Sequence, residues 1–177
     1  MNGRTIWITG LSGAGKSTLS AILVSKLRAI EPKTIFLDGD ELREVLAADS
    51  RDGSHHDRNQ RLALATRYAR LCRLLASQGF TVVIATISLF REIHDWNREN
   101  QPGYFEIYLK VPLEELRRRD PKGIYHRHAA GEVHNVAGLD FSIDEPAQPE
   151  ILIEFNPSRS PDETAEYIFL KLMRENQ

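Results

Sequence analysis

Gly10-Leu11-Ser12-Gly13-Ala14-Gly15-Lys16-Ser17 matches the pattern G-x-x-x-x-G-K-[ST] at every fixed position. Each fixed type has a chemical reason. Glycines let backbone N–H groups close around phosphate oxygens with no Cβ in the way. The helix that follows turns its positive end to the same anion. Lys16 is placed to reach the outer phosphates, and Ser17 to offer a hydroxyl to Mg²⁺. Gly10, Leu11, Ser12, Gly13, Ala14, Gly15, Lys16, Ser17 and Thr18 are therefore the expected cradle for a nucleotide's phosphates. An apolar run at 5–9 leads in as a strand and a helix leads out from Lys16, which is the context the motif requires.

Phosphate binding alone does not specify a reaction. A carboxylate near the loop must hold the metal or take a proton. The run Val82-Val83-Ile84-Ala85-Thr86 ends without one, whereas the second strand ends in Leu37-Asp38-Gly39-Asp40. Strand ends of one polarity share one crevice in a parallel sheet, which puts Asp38 opposite the loop. There it could activate an acceptor hydroxyl or order the metal's water shell. Asp-Gly is also ordinary turn chemistry, and Asp40 reads as the cap of the next helix.

The elements that must position these groups follow from periodicity. Short apolar runs at 5–9, 34–37, 81–86, 105–109 and 151–155 suit strands buried on both faces. Helical patterns lie between them: 16–28 after the loop, 58–77 with Leu62, Ala65, Ala69, Cys72 and Leu75 near helical spacing, and 113–119 after Pro112. Ser160-Pro161-Asp162-Glu163 reads as a capping box with proline at the first helical position. The alternation predicts one α/β domain over 1–177. Its form is a three-layer P-loop NTPase fold, with a central, mostly parallel five-stranded sheet and helices on both faces. Segments 48–56 and 120–149 are polar and aperiodic; the second has the length of a functional loop, and in a phosphate-handling enzyme it would be a mobile lid.

Composition narrows the class. The 177 residues are 41% hydrophobic and 27% charged with a net charge of −2, which argues against a general nucleic-acid binder. The single cysteine, Cys72, rules out an internal disulfide and a cysteine-built zinc site. No apolar run approaches the roughly 20 residues of a membrane span, and the N-terminus shows no signal-peptide pattern. A cytoplasmic location without membrane or nucleic-acid partners is expected. His126, His128 and His134 complete no metal-ligand set and are expected on the lid or surface.

The blocks Gly10–Ser17, Leu37-Asp38-Gly39-Asp40-Glu41-Leu42-Arg43, Ile87-Ser88 and Arg119-Asp120-Pro121-Lys122-Gly123-Ile124-Tyr125 resemble adenylylsulfate kinase in order and spacing over most of the chain. That resemblance implies ATP and Mg²⁺, a nucleoside-kinase type of fold, and transfer of the γ-phosphoryl group to the ribose 3′-hydroxyl of adenylyl sulfate. It gives Asp38 the base or metal role, Arg43 a contact to the substrate anion, and Ser88 the family's serine after the third strand. Arg58 and Lys122 fall in substrate-side blocks. Arg119 would swing over the transferring phosphoryl group, while Arg117 and Arg118 read as a solvated helix face. A small-molecule nucleotide is the implied partner; a homodimer stays open.

The departures fall on the acceptor side. The family's Gly-Phe-Ser-x-x-Asp-Arg segment carries a phenylalanine that stacks on adenine. Here it corresponds to Gly53-Ser54-His55-His56-Asp57-Arg58, one residue shorter and without the aromatic. Ile87-Ser88 is followed by Leu89-Phe90, not by proline and an aromatic. His55 or His56 could stack on a base or be plain loop residues. A related kinase that acts on cytidine diphosphoramidate in capsule-precursor synthesis is the alternative. The rival class is a nucleotide switch or non-catalytic module. A guanine-reading switch would carry Asn-Lys-x-Asp, which does not occur, and a dead module would have lost Lys16 or Ser17, which remain.

Overall fold

The computed structural model describes residues 3–46 and 57–175. Five strands, β1 (Arg4–Thr9), β2 (Thr34–Asp38), β3 (Thr81–Thr86), β4 (Tyr104–Lys110) and β5 (Ile151–Glu154), form one sheet in the order β2-β3-β1-β4-β5. Every pairing is parallel. The seven helices among the described residues are α1 (Lys16–Arg28), α2 (Gly39–Leu46), α3 (Arg58–Ala76), α4 (Arg91–Asn100), α5 (Leu113–Arg119), α6 (Ile124–Ala129) and α7 (Pro161–Glu175). This is the expected three-layer P-loop arrangement, with all strands parallel.

Alternation along the strands sorts the core onto two faces. Ile6, Ile8, Val83 and Ile107 pack with Leu19, Leu23 and Leu27 of α1 and with Ala165, Ile168 and Leu172 of α7. Trp7, Val82 and Ile84 pack on the other face with Ala65, Tyr68, Ala69 and Cys72 of α3 and Ile93 of α4. β1 lies at the centre of the sheet, so the loop that follows it opens into the crevice between neighbouring strand ends.

Three local features differ from the sequence reading. Asp40 is not the cap of α2: it lies inside that helix, and the Oδ1 of Asp38 accepts its N–H at 2.8 Å. Gly39 serves no turn either. A Cβ there would meet the carbonyl oxygen of Ala85 at 2.8 Å and Thr86 Cβ at 3.2 Å, so the glycine lets α2 start hard against β3. Within 120–149 the chain forms α6, whose first N–H groups are satisfied from a distance. The Asp120 carboxylate accepts from Tyr125 N at 3.1 Å and from His126 N at 2.8 Å. The capping box at Ser160 forms as read: Glu163 N donates to Ser160 Oγ at 3.1 Å and Ser160 N to Glu163 Oε2 at 2.8 Å.

The end of the 120–149 segment is tied to the body by a buried cluster. Glu106 on β4 is 1% exposed. Its Oε1 lies 2.7 Å from His94 Nδ1 and accepts from Tyr104 OH at 2.9 Å; Arg98 donates to its Oε2 at 3.2 Å. His94 Nε2 lies 3.0 Å from Asp144 O, and Arg98 donates to Gln148 O at 2.9 Å.

Candidate active site

A cleft of about 790 Å³ opens at the C-terminal ends of the strands. Its floor is the loop after β1. Gly15 sits at φ 93 with nothing within 4 Å of where a Cβ would be, so the backbone conformation alone demands glycine there. Ser12 to Thr18 line the cleft. Gly10 and Leu11 are not among its lining residues, but Leu11 O accepts from both Ala14 N at 3.2 Å and Lys16 Nζ at 2.8 Å. Burial lowers the Lys16 ammonium to about 8, helped by Lys122 and opposed by Asp40 and Asp38.

Ser17 and Asp38 meet across the crevice. Ser17 Oγ donates to Asp38 Oδ2 at 2.5 Å. One carboxylate thus caps α2 with one oxygen and turns the other toward the loop's hydroxyl. Asp40 contacts Lys122 directly and lies 3.9 Å from Arg43. Burial works to raise the Asp40 carboxyl, but the Lys122 bond and charge, with Arg43 and Lys16, outweigh it and hold it below the usual range. The contact brings Lys122, from the segment after α5, onto α2 across the cleft. Arg119 donates to Glu115 Oε1 at 2.7 Å, and its guanidinium lies 4.8 Å over the Phe155 ring. Its Nη1 comes to 3.4 Å from Gly13 O, at the loop's edge. The Glu115 carboxyl, bonded by Arg118 and Arg119, falls to about 2.

A side chamber of about 40 Å³ extends the cleft toward α3. Arg43, Arg61, Thr86 and Ile87 border both spaces, while Tyr68, Ser88, Phe90 and Phe141 line the chamber. Ser88 is buried at φ 24, with its Oγ 2.7 Å from Thr86 Oγ1. It faces the chamber rather than the loop. Tyr68 OH donates to Gly39 O at 2.9 Å, and burial pushes its phenol up to about 12.

The structure thus brings together the loop, Asp38, Arg43, Arg119 and Lys122, with Ser88 next door. It does not bring in Arg58, whose guanidinium holds both oxygens of Glu92 at 3.0 and 3.1 Å and covers the Phe90 ring at 5.2 Å. Sequence reasoning missed Arg61, Tyr68, Phe141 and Phe155. Only Arg61 left a signal, one helical turn beyond Arg58. His128 Nε2 pairs with Asp140 Oδ1 at 2.7 Å, and no cluster of three His, Cys, Asp or Glu side chains suited to a metal occurs among the described residues. His55 and His56 lie outside the described residues.

Residues 2–154 match the model of the adenylylsulphate kinase family. The chain belongs to that family. It is an ATP-dependent kinase that acts on a small-molecule nucleotide. Among its relatives, cytidine diphosphoramidate kinase of Campylobacter jejuni is 38% identical over 167 residues, covering 94% of this chain and 95% of its own. Adenylyl-sulfate kinase of Pseudomonas aeruginosa is 38% identical over 159 residues, covering 89% and 79%. The solved APS kinase of Mycobacterium tuberculosis in complex with AMPPNP and APS superposes with a TM-score of 0.86 at 33% identity, covering 97% of this chain and 98% of that one. No helix among the described residues is long and apolar enough to cross a membrane.

Proposed function

We propose that this kinase transfers the γ-phosphoryl group of ATP to a ribose hydroxyl of cytidine diphosphoramidate. The observation that carries the choice is the acceptor side of the cleft. Its chamber is narrow, bounded by Tyr68, Phe90 and Phe141, and fronted by Arg43 and Arg61. The sequence also offers Gly53-Ser54-His55-His56 where the resemblance expects an adenine-stacking phenylalanine. The relative with cytidine diphosphoramidate kinase activity matches the chain almost end to end. Adenylyl sulfate is the second reading, favoured by the equal identity to adenylyl-sulfate kinases and by the likeness to an APS-bound structure.

In either case the chemistry assigned to the residues is the same. Loop N–H groups and Lys16 hold the β- and γ-phosphates of ATP. The Ser17 hydroxyl and Asp38 carboxylate are adjacent hard oxygen donors and fit Mg²⁺, which binds through one or two protein groups together with phosphates. The metal supplies charge neutralisation on the phosphates. Asp38 takes the proton of the acceptor hydroxyl, directly or through a water. The acceptor oxygen–γ-phosphorus bond forms as the bond to the bridging β,γ-oxygen breaks, and ADP leaves. Arg119 swings from Glu115 over the transferring group, while Arg43, Lys122 and Ser88 hold the acceptor. The segment from Asp120 acts as a lid.

The test is ADP release with each acceptor, with the product weighed by mass spectrometry. A higher kcat/KM on cytidine diphosphoramidate is expected. A preference for adenylyl sulfate would transfer the assignment to the second reading, and ADP release with neither would sink both.

A further inference from the structure

Gly13 lines the phosphate cleft at φ 80, and a glycine there turns easily. Its neighbouring peptides need a hold from outside the loop. Tyr125 of α6 supplies one for the peptide between Ser12 and Gly13. Its ring is buried, and its hydroxyl donates to Ser12 O at 2.9 Å. A trans peptide is planar, with its C=O and N–H pointing in opposite directions. Holding the Ser12 carbonyl therefore also aims the Gly13 N–H, away from Tyr125. Gly13 is a cleft residue and Tyr125 is not. Burial, then the Asp120 charge, push the Tyr125 phenol up to about 12, so it stays a donor at neutral pH.

The same stretch of chain packs along the rest of the loop's outer side. A Cβ on Gly13 would lie 3.5 Å from Pro121 Cδ and 3.7 Å from Leu116 Cδ2. One on Gly138 would meet Leu11 Cδ1 at 3.2 Å. Asp120 in turn seats α6, because its carboxylate accepts from Tyr125 N and His126 N. Asp120 does not line the cleft either.

We propose that Tyr125 is a positioning residue for the phosphate loop: its hydroxyl orients the Gly13 N–H toward ATP's phosphates, and Asp120 acts through it by seating α6. ATP affinity is then set in part from outside the cleft, by the segment that follows α5. The inference rests on the loop holding ATP's phosphates, as proposed above.

Calorimetry with AMPPNP on the whole chain tests this, with thermal unfolding measured in parallel. Tyr125→Phe keeps the ring and removes only the hydroxyl. It should weaken AMPPNP by about 3- to 10-fold, the worth of one neutral hydrogen bond. Asp120→Asn tolerates the φ of 24 and loses the charge, and it should weaken AMPPNP by a similar factor. The double variant should bind about as well as the weaker single one, because both changes act on one contact. A purely structural role would lower the melting temperature of Tyr125→Phe and leave the affinity of its folded form within about twofold of wild type, which overturns the proposal. Additive losses, or no loss from Asp120→Asn, would overturn the route from Asp120 through Tyr125. Lys16→Ala is the control for the loop itself. If it weakens AMPPNP and Tyr125→Phe does not, the role of Tyr125 alone fails; if neither weakens it, the loop's assignment as the ATP cradle fails as well.

Discussion

Asp38 carries two loads that a single substitution can separate. One oxygen accepts the Asp40 N–H at 2.8 Å and starts α2; the other accepts the Ser17 hydroxyl at 2.5 Å and faces the phosphate loop. Asp38→Asn can keep the first contact through its amide oxygen. The second is inverted, because an NH₂ group now donates to Ser17, which must become the acceptor. Replacing one charge-assisted hydrogen bond by a neutral one costs about 1 kcal/mol. Losing a negative charge at a helix start costs a further 0.3–1 kcal/mol or so. The melting temperature should therefore fall by roughly 3–6 °C. If Asp38 takes the acceptor proton or orders the metal, turnover should fall by about 10²- to 10⁴-fold. That is about 3–5 kcal/mol in the transition state, well beyond what the folding contacts are worth. AMPPNP affinity should change by less than about tenfold, since loop N–H groups carry most of it. The assay is ADP release at saturating ATP and acceptor, normalised to the folded fraction from circular dichroism. A variant that melts early yet turns over within tenfold of wild type would make Asp38 a helix cap and refute the reasoning.

The remaining predictions are brief. ATP should bind more weakly as pH rises through about 8, because the Lys16 ammonium is buried enough to lose its proton there; a flat affinity profile across that range would contradict it. The same shift makes the unfolded chain bind more protons above pH 8, so Lys16 adds stability with rising pH until tyrosines of the unfolded chain ionise near about 10. Glu106→Ala leaves His94 and Arg98 without their buried partner and should cost about 3–5 kcal/mol, while activity per folded molecule stays near wild type because the cluster lies away from the cleft; chemical denaturation with parallel kinetics checks both. Amide exchange across 120–135, measured by mass spectrometry, should slow when AMPPNP and acceptor bind together, and unchanged protection would make this segment a fixed loop.

What was legible in the sequence is what short-range chemistry dictates. The loop motif, the apolar strands and the Ser160 capping box each specify themselves within about eight residues. Other features need the tertiary structure. Gly39 looked like a turn residue because its reason, the Ala85 carbonyl at 2.8 Å from a Cβ, lies on another strand. Asp40 has the type and place of a cap, but β2 runs one residue further than its apolar run and hands that role to Asp38. α6 is too short for a period to show, and Asp120 caps it from outside the usual position. Glu106 interrupts an apolar strand, and only the fold supplies the His94, Arg98 and Tyr104 that make its burial tolerable.

The site's two halves differ in the same way, and the difference bears on acceptor choice. The donor half is built largely from backbone: a glycine-shaped loop and a helix terminus, with Lys16 and Ser17 as its main side chains. Any chain with that motif in that context builds it, so family membership speaks strongly about ATP. The side chamber, the proposed acceptor half, is lined by side chains on separate elements: Arg43 from α2, Arg61 and Tyr68 from α3, Phe90 before α4, and Phe141 from the segment beyond α6. No backbone motif binds these together, and each can change while the sheet and the phosphate cradle stay intact. Identity of 38% to a cytidine diphosphoramidate kinase and to an adenylyl-sulfate kinase alike is what such a division produces. Specificity then turns on a few positions, and Arg58 and Arg61 illustrate the step. Glu92 holds Arg58 outside the cleft, while Arg61, one turn along the same helix, lines it together with Arg43.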